Sequence, residues 1–244
     1  MDKIEFIKEC HRVFGLNRDV TKPTDTELEQ LFALTEIMLE VNEHMNLTAI
    51  KDMTGIILKH YVDSLTVSKH IPKGASVIDV GCGAGFPSLP LAIVRPDLKI
   101  TALDSTAKRI RYVDDTAKKL GLDNVTAIAA RAEELANDKN HRESYDIAVA
   151  RAVAELQILA ELCIPFVRID GCFISMKALK GVDELNQAKN AIKICGANIS
   201  AIHDIDTTAD EETYINRKII IANKASHTPD NYPRNFGRIQ KKPL

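Results

Sequence analysis

Val77-Ile78-Asp79-Val80-Gly81-Cys82-Gly83-Ala84-Gly85-Phe86-Pro87 is an apolar strand that runs straight into three alternate glycines and then a proline at the opening of a helix. Glycines at alternate positions let the backbone turn tightly and approach a ligand with no Cβ in the way. Gly81, Gly83 and Gly85 are therefore candidate binding positions. Pro87 suits a first helical turn, where its missing N–H costs nothing. A dinucleotide fingerprint needs G-x-G-x-x-G, and its third glycine would fall on Phe86. The spacing counts against a nicotinamide cofactor.

From Ser76 onward, short β-branched runs alternate with helical stretches, the pattern of βαβ units and a mostly parallel sheet. The spacing predicts strands over 77–80, 99–103, 125–130, 146–150 and 172–176, with helices over 87–95, 105–120 and 154–167. A helix over 182–195 leads to two further strands, 200–204 and 217–222, facing each other across the polar loop of Asp210, Glu211 and Glu212. The expected architecture is α/β, a doubly wound sheet of seven strands whose ligand sits beyond the carboxyl ends of the central strands. Ahead of it, residues 1–70 read as a helical region. Thr24-Asp25-Thr26-Glu27 forms a capping box, and Leu28, Leu31, Thr35, Met38, Val41 and Met45 recur at helical spacing. A second helical pattern covers 55–69. The sheet domain then spans 71–224, and 225–244 is a tail.

The 244 residues are 45% hydrophobic and 27% charged, proportions that exclude wholesale disorder and fibrous architectures. The longest apolar stretch, 145–167, is interrupted by Arg151, Glu155 and Glu161, so no membrane span is expected. Met1-Asp2-Lys3-Ile4-Glu5 lacks the pattern of a signal peptide, and cytoplasmic residence is the expectation. Cys10, Cys82, Cys163, Cys172 and Cys195 form no C-x-x-C pair and have no His at ligand spacing. They read as buried thiols, and no metal is expected. A net charge of -2 gives no global preference for a polyanion. From Thr213 to Leu244, however, seven bases stand against one acid, so the tail is basic while the whole is not.

The predicted strand ends carry the remaining candidates. Asp104 closes the second strand, where a carboxylate can accept the two hydroxyls of a ribose, cap the following helix, or do both. Arg131-Ala132-Glu133 closes the third, placed either to flank an adenine or to form a surface ion pair at a helix start. Arg151 closes the fourth and faces the crevice. Lys177 and Lys180, beyond the fifth, stand on the same rim as either phosphate contacts or surface cations. His60 reads as a hydrogen-bonded packing residue. Lys108, Arg109, Arg111, Lys118 and Lys119 read as a solvated helix face with favourable Asp114–Lys118 and Asp115–Lys119 pairs.

Asn46-Leu47-Thr48, His60-Tyr61-Val62-Asp63-Ser64, the glycine segment, Leu103-Asp104-Ser105, Arg131-Ala132-Glu133-Glu134, Ala150-Arg151-Ala152-Val153, the Tyr232-Pro233-Arg234 segment and Lys241-Lys242-Pro243-Leu244 fall in order along the chain. Together they resemble the bacterial small-subunit ribosomal RNA guanine-N7 methyltransferase G family, also called the glucose-inhibited division protein B family. The resemblance implies a class I S-adenosylmethionine-dependent methyltransferase fold with an N-terminal helical extension, acting on small-subunit ribosomal RNA or the assembling small subunit. It implies cofactor contacts at Gly81, Phe86, Ala132, Glu133 and Arg151, with Asp104 on the ribose. Attack by guanine N7, which carries a free lone pair at neutral pH, needs no general base, and no residue is assigned as one. Arg234, Arg238, Lys241 and Lys242 are expected to contact RNA phosphates. A nicotinamide-dependent oxidoreductase is the alternative enzyme, opposed by Phe86 and by the lack of a Tyr-x-x-x-Lys or catalytic His set. A nonenzymatic RNA-binding module using the tail alone would leave the glycine turn unexplained.

Overall fold

A computed structural model describes residues 1–151, 154–178 and 181–244. The chain opens with α1 (Lys3–Leu16) and α2 (Asp25–Met45). Thr24 and Glu27 close the capping box before α2, each side chain holding the other's backbone N–H. Leu28, Leu31, Thr35 and Met38 form the buried stripe as expected, but it passes next to Asn42 rather than Val41. Asn42 holds the backbone of Thr48, its amide donating to the carbonyl at 3.0 Å and its side-chain oxygen accepting the N–H at 2.9 Å. The helix expected over 55–69 is broken into α3 (Met53–Ile56), a π-helical segment (Ile57–Val62), α4 (Asp63–Leu65) and a 3₁₀ turn (Ser68–His70). Irregular turns of this kind gather at functional sites. This one carries Lys59 and His60.

β1 (Ser76–Val80), α5 (Ser88–Val94), β2 (Lys99–Asp104), α6 (Ala107–Lys119), β3 (Val125–Ala129), α7 (Ala132–Leu135), β4 (Tyr145–Arg151), α8 (Leu156–Cys163), β5 (Val167–Ala178), α9 (Gly181–Ile194), β6 (Ala197–Thr208), β7 (Tyr214–Lys224) and α10 (Phe236–Lys241) follow. The sheet runs β3-β2-β1-β4-β5-β7-β6. The first five strands in that order are parallel, and β7 is antiparallel to both of its neighbours. The order reverses between β1 and β4, so the crevice opens beyond their carboxyl ends. Alternation along the strands builds one core on each face. Val77, Ile147 and Val149 join α1, α2, α5 and α6, while Ile78, Val80, Ala148 and Ala150 join α8, α9 and α10.

Some expected boundaries move for local reasons. α8 stops at Cys163 rather than 167 because Pro165 cannot donate to the helical ladder, and a 3₁₀ turn (Ile164–Phe166) takes over. Pro87 sits just before α5 rather than inside it. β6 and β7 extend well beyond the predicted runs, since ladder pairing reaches Thr208 and Tyr214, although Tyr214 is 65% exposed. All five cysteines are free; Cys172 is half-buried and the others are buried. Among the described residues, no helix is long and apolar enough to cross a membrane, and no cluster of three or more His, Cys, Asp or Glu is placed to hold a metal.

Candidate functional site

The turn after β1 is tied to β2. The N–H groups of Gly81 and Cys82 both donate to the Leu103 carbonyl, at 2.8 and 2.9 Å. Gly83 has φ +58°, and a Cβ there would meet nothing within 4 Å, so only the missing side chain keeps this stretch of crevice open. Gly85 is different. At φ +83°, its Cβ would lie 2.5 Å from Leu89 Cδ1 and 3.4 Å from Val113 Cγ2. This glycine lets α5 and α6 close on the turn, and it lines neither of the two clefts that meet at Gly81.

Two clefts meet at Gly81. The first, of about 270 Å³, is lined by Gly81, Asp104, Ala132, Glu133, Leu162 and Phe236 among others. Asp104 is buried; its Oδ1 accepts the Thr106 N–H at 2.8 Å and its Oδ2 accepts the Gly83 N–H at 3.1 Å. It braces the entry to α6, whose first residue is Ala107 rather than Ser105. An ionised carboxylate has about four acceptor sites, so with Arg109 approaching Oδ2 at 3.8 Å at most two remain for a ligand. At the end of β3 the ion pair expected as one alternative for this segment is present: Arg131 Nε donates to Glu133 Oε1 at 2.6 Å. The same guanidinium lies 5.0 Å over the ring of Phe236. Glu133 is nevertheless buried in the cleft wall.

The second cavity, of about 500 Å³, is lined by Leu47, Lys59, His60, Phe86, Arg151 and Arg217 among others. The His60 ring stacks on Phe86, centroids 4.5 Å apart and planes 10° from parallel, and its Nε2 hydrogen-bonds Thr48 Oγ1 at 2.9 Å. Burial, reinforced by the charge of Arg151, lowers the His60 pKa to about 4, so the imidazole is neutral at physiological pH. Arg151 lies 5.3 Å over Phe86 and donates to Asp63 Oδ2 at 3.0 Å. Arg217 donates to both oxygens of the same carboxylate, at 2.7 and 3.2 Å. Asp63 is fully buried, and two cations share it. Beneath the turn, Asp79 accepts the Ser88 hydroxyl at 2.6 Å, and burial pushes its pKa up to about 6 against the pull of Ser88 and Arg151.

Of the expected site residues, Gly81, Asp104, Ala132 and Glu133 share the smaller cleft, and Gly81, Gly83, Phe86 and Arg151 the larger. Lys177 is not a free cation: its amine donates to the Ala154 carbonyl at 2.7 Å and pairs with Glu184 at 2.8 Å. Lys180 lies outside the described residues. Arg234 is likewise engaged, its Nε and Nη2 donating to the two oxygens of the fully buried Glu161 at 2.8 and 2.6 Å. Arg238, Lys241 and Lys242 are exposed. Asp63, Arg217 and Phe236 carry structural weight that sequence reasoning did not assign. Two signals pointed that way, the acid of His60-Tyr61-Val62-Asp63-Ser64 and Glu161 within an apolar run, since a buried carboxylate demands a cation. A separate cavity of about 580 Å³ lies at the opposite rim, around Lys73 and Arg168, away from the glycine turn.

A model of the family described as rRNA small subunit methyltransferase G matches residues 27–214. The ribosomal RNA small subunit methyltransferase G of Acetivibrio thermocellus is 42% identical over 232 residues, covering 95% of this chain and 92% of that protein. The protein of the same name from Staphylococcus carnosus is 44% identical over 223 residues, covering 90% and 92%. Among solved structures, a SAM dependent methyltransferase from Aquifex aeolicus superposes with a TM-score of 0.50 at 18% identity, covering 70% of this chain and 93% of that one. That likeness is one of fold alone.

Proposed function

The chain belongs to the rRNA small subunit methyltransferase G family, and on that premise we propose that it transfers the methyl group of S-adenosylmethionine to N7 of a guanine in small-subunit ribosomal RNA. The observation that carries this reading is the pair of clefts meeting at Gly81, one with a buried carboxylate over the glycine turn and the other with aromatic and cationic walls. The residues fit the cofactor. Asp104 has free acceptor sites for a ribose diol, the apolar wall of Leu162 and Phe236 suits a purine, and the open space at Gly83 admits the connecting atoms.

When bound, S-adenosylmethionine supplies a methyl group activated by a sulfonium. Asp104 and the Gly81–Gly83 backbone hold the adenosyl end. Phe86, packed under His60 and Arg151, fixes those two side chains in the wall of the larger cavity, where they can align a guanine. Asp63 leaves one net positive charge on the Arg151–Arg217 pair, and exposed Lys59 adds another at the rim, which suits a substrate carrying phosphates. Arg238, Lys241 and Lys242 are proposed as further phosphate contacts. The substrate is either the free RNA or the assembling subunit, and the location the cytoplasm.

The test is methyl transfer from labelled S-adenosylmethionine to small-subunit RNA and to assembled subunits from cells lacking this protein, with the product mapped by mass spectrometry. We expect N7-methylguanine, and a single-turnover rate flat within about twofold from pH 6.5 to 8.5 because the attacking nitrogen has no proton to lose. A tenfold rise per pH unit, or methyl on an exocyclic amine or ribose, overturns the N7 assignment. No transfer to either RNA form overturns the reading as a whole.

A further inference from the structure

The tail that stands out in the sequence for its charge is held to the fold by a dense set of buried contacts. Lys224, at the end of β7, is 1% exposed, and its ammonium donates to the Ile164 and Cys195 carbonyls at 3.2 and 3.1 Å and pairs with Glu143 at 3.1 Å. Arg142 donates to the carbonyls of Thr228 and Tyr232, at 2.8 and 2.9 Å. Arg234 clamps the fully buried Glu161 of α8 through both guanidinium arms. Asn235 caps α10 through the Arg238 N–H at 3.0 Å, and Ile239 is fully buried in the core on that face. These contacts set Phe236 beside Leu162, Leu103 and Val80 in the wall of the 270 Å³ cleft, with Arg131 stacked over its ring and paired to Glu133.

We propose that the C-terminal segment is the adenine-side wall of the cofactor cleft, that Phe236 is the side chain that packs on the purine, and that docking of residues 232–242 and cofactor binding are thereby linked. The inference rests on the methyltransferase reading and extends it. Asp104 fixes which end of the cleft takes a ribose, and the ring joined to that ribose must lie against the walls around it. Among the described residues, Phe236 is the one aromatic side chain there. An aromatic ring on a purine face adds favourable offset stacking to plain apolar contact. Because a ligand that touches only the docked tail favours the docked state, the linkage is reciprocal.

The test uses the full chain and S-adenosylhomocysteine, the demethylated product, as probe. Calorimetry should show Phe236→Ala binding it about tenfold or more weakly than wild type, with Phe236→Leu, which keeps the apolar wall and the fold, intermediate between them. Hydrogen exchange adds a readout that a merely structural role would not move. Saturating probe should slow exchange of the amides of 236–241 in wild type and in Asp104→Ala at a correspondingly higher probe concentration. In saturated Phe236→Ala, that slowing should be lost. Wild-type binding with Phe236→Ala within twofold of it, or saturation that leaves the tail's exchange unchanged, overturns the wall and leaves the methyltransferase reading standing. A wild type that binds no probe overturns both.

Discussion

The floor of the smaller cleft is made by the carboxyl ends of three neighbouring strands, β1, β2 and β3, with Leu162 and Phe236 closing its side, whereas the larger cavity draws Leu47 and His60 from the helical region and Arg217 from the last strand of the sheet. The floor of the first needs little beyond the sheet itself, because the turn after β1 is tied to β2 by backbone hydrogen bonds and braced by Asp104. The second is held by a single buried ionic junction, Asp63 between Arg151 and Arg217. One cleft is a consequence of the fold. The other is an assembly that a single side chain can undo.

The largest expected effect follows from that junction. Asp63→Ala leaves two arginines, each at most 20% exposed in its side chain, without their common anion. Removing one partner from a buried ion pair costs about 3 to 5 kcal/mol, and denaturant unfolding should show a loss of that size. A loss below about 1 kcal/mol would erase the contrast between the two regions.

The next effect is in pH. His60 has its folded pKa near 4, below the value of about 6.5 for an unperturbed imidazole. The unfolded chain therefore takes up the proton first, and the fold loses stability as pH falls from about 6.5 to 4, by about 3 kcal/mol in total. Asp79, raised to about 6, works in the opposite sense across nearly the same window, since the fold binds its proton more tightly than the unfolded chain does. The measurement is thus the difference between wild type and His60→Gln, which should shrink in the wild type's disfavour on acidification. A pH-independent difference would mean that the imidazole titrates as if solvated, and that the cavity wall at His60 is open.

The smallest expected effect on stability, and a selective one on binding, belongs to the first cleft. Asp104→Ala should weaken S-adenosylmethionine binding by about 1.5 to 3 kcal/mol, the range for hydrogen bonds to a charged group, and calorimetry on the folded variant would read it. Stability should fall by far less than in Asp63→Ala. Equal losses of stability would place both carboxylates in one structural role.

The sheet and the floor of the first cleft are legible in the sequence because everything that makes them is local, unlike the wall that Phe236 brings from the tail. Short β-branched runs between helical stretches give the strands, and the segment from Val77 to Pro87 announces the turn, with Asp104 at the end of the next strand. The glycines illustrate the limit of that legibility. Gly83 and Gly85 look alike in the sequence, yet one faces open space and the other the side chain of Leu89, a distinction made by helices packing from elsewhere. The second cavity is hidden for the same reason. Arg217 lies 154 residues from Asp63, and no periodicity records a pairing at that distance. Charge alone misleads at Arg234, one of the four bases of 225–244, which is spent on Glu161. Phe236 and Ile239, three residues apart, were the signal of a docked helix face.

The order of the strands also sets an order in time. β7 lies between β5 and β6, and β6 has no other neighbour, so the sixth strand has no place in the sheet until the seventh has been made. At about 5 to 20 residues per second, the ribosome needs roughly 8 to 30 s to travel from Asp63 to Arg217. Throughout that interval the nascent chain can outline the glycine turn but has neither the second cation for Asp63 nor the far wall of the larger cavity. The strand synthesised last completes the sheet and the far wall of the larger cavity together, so an unfinished chain lacks the place proposed for the RNA.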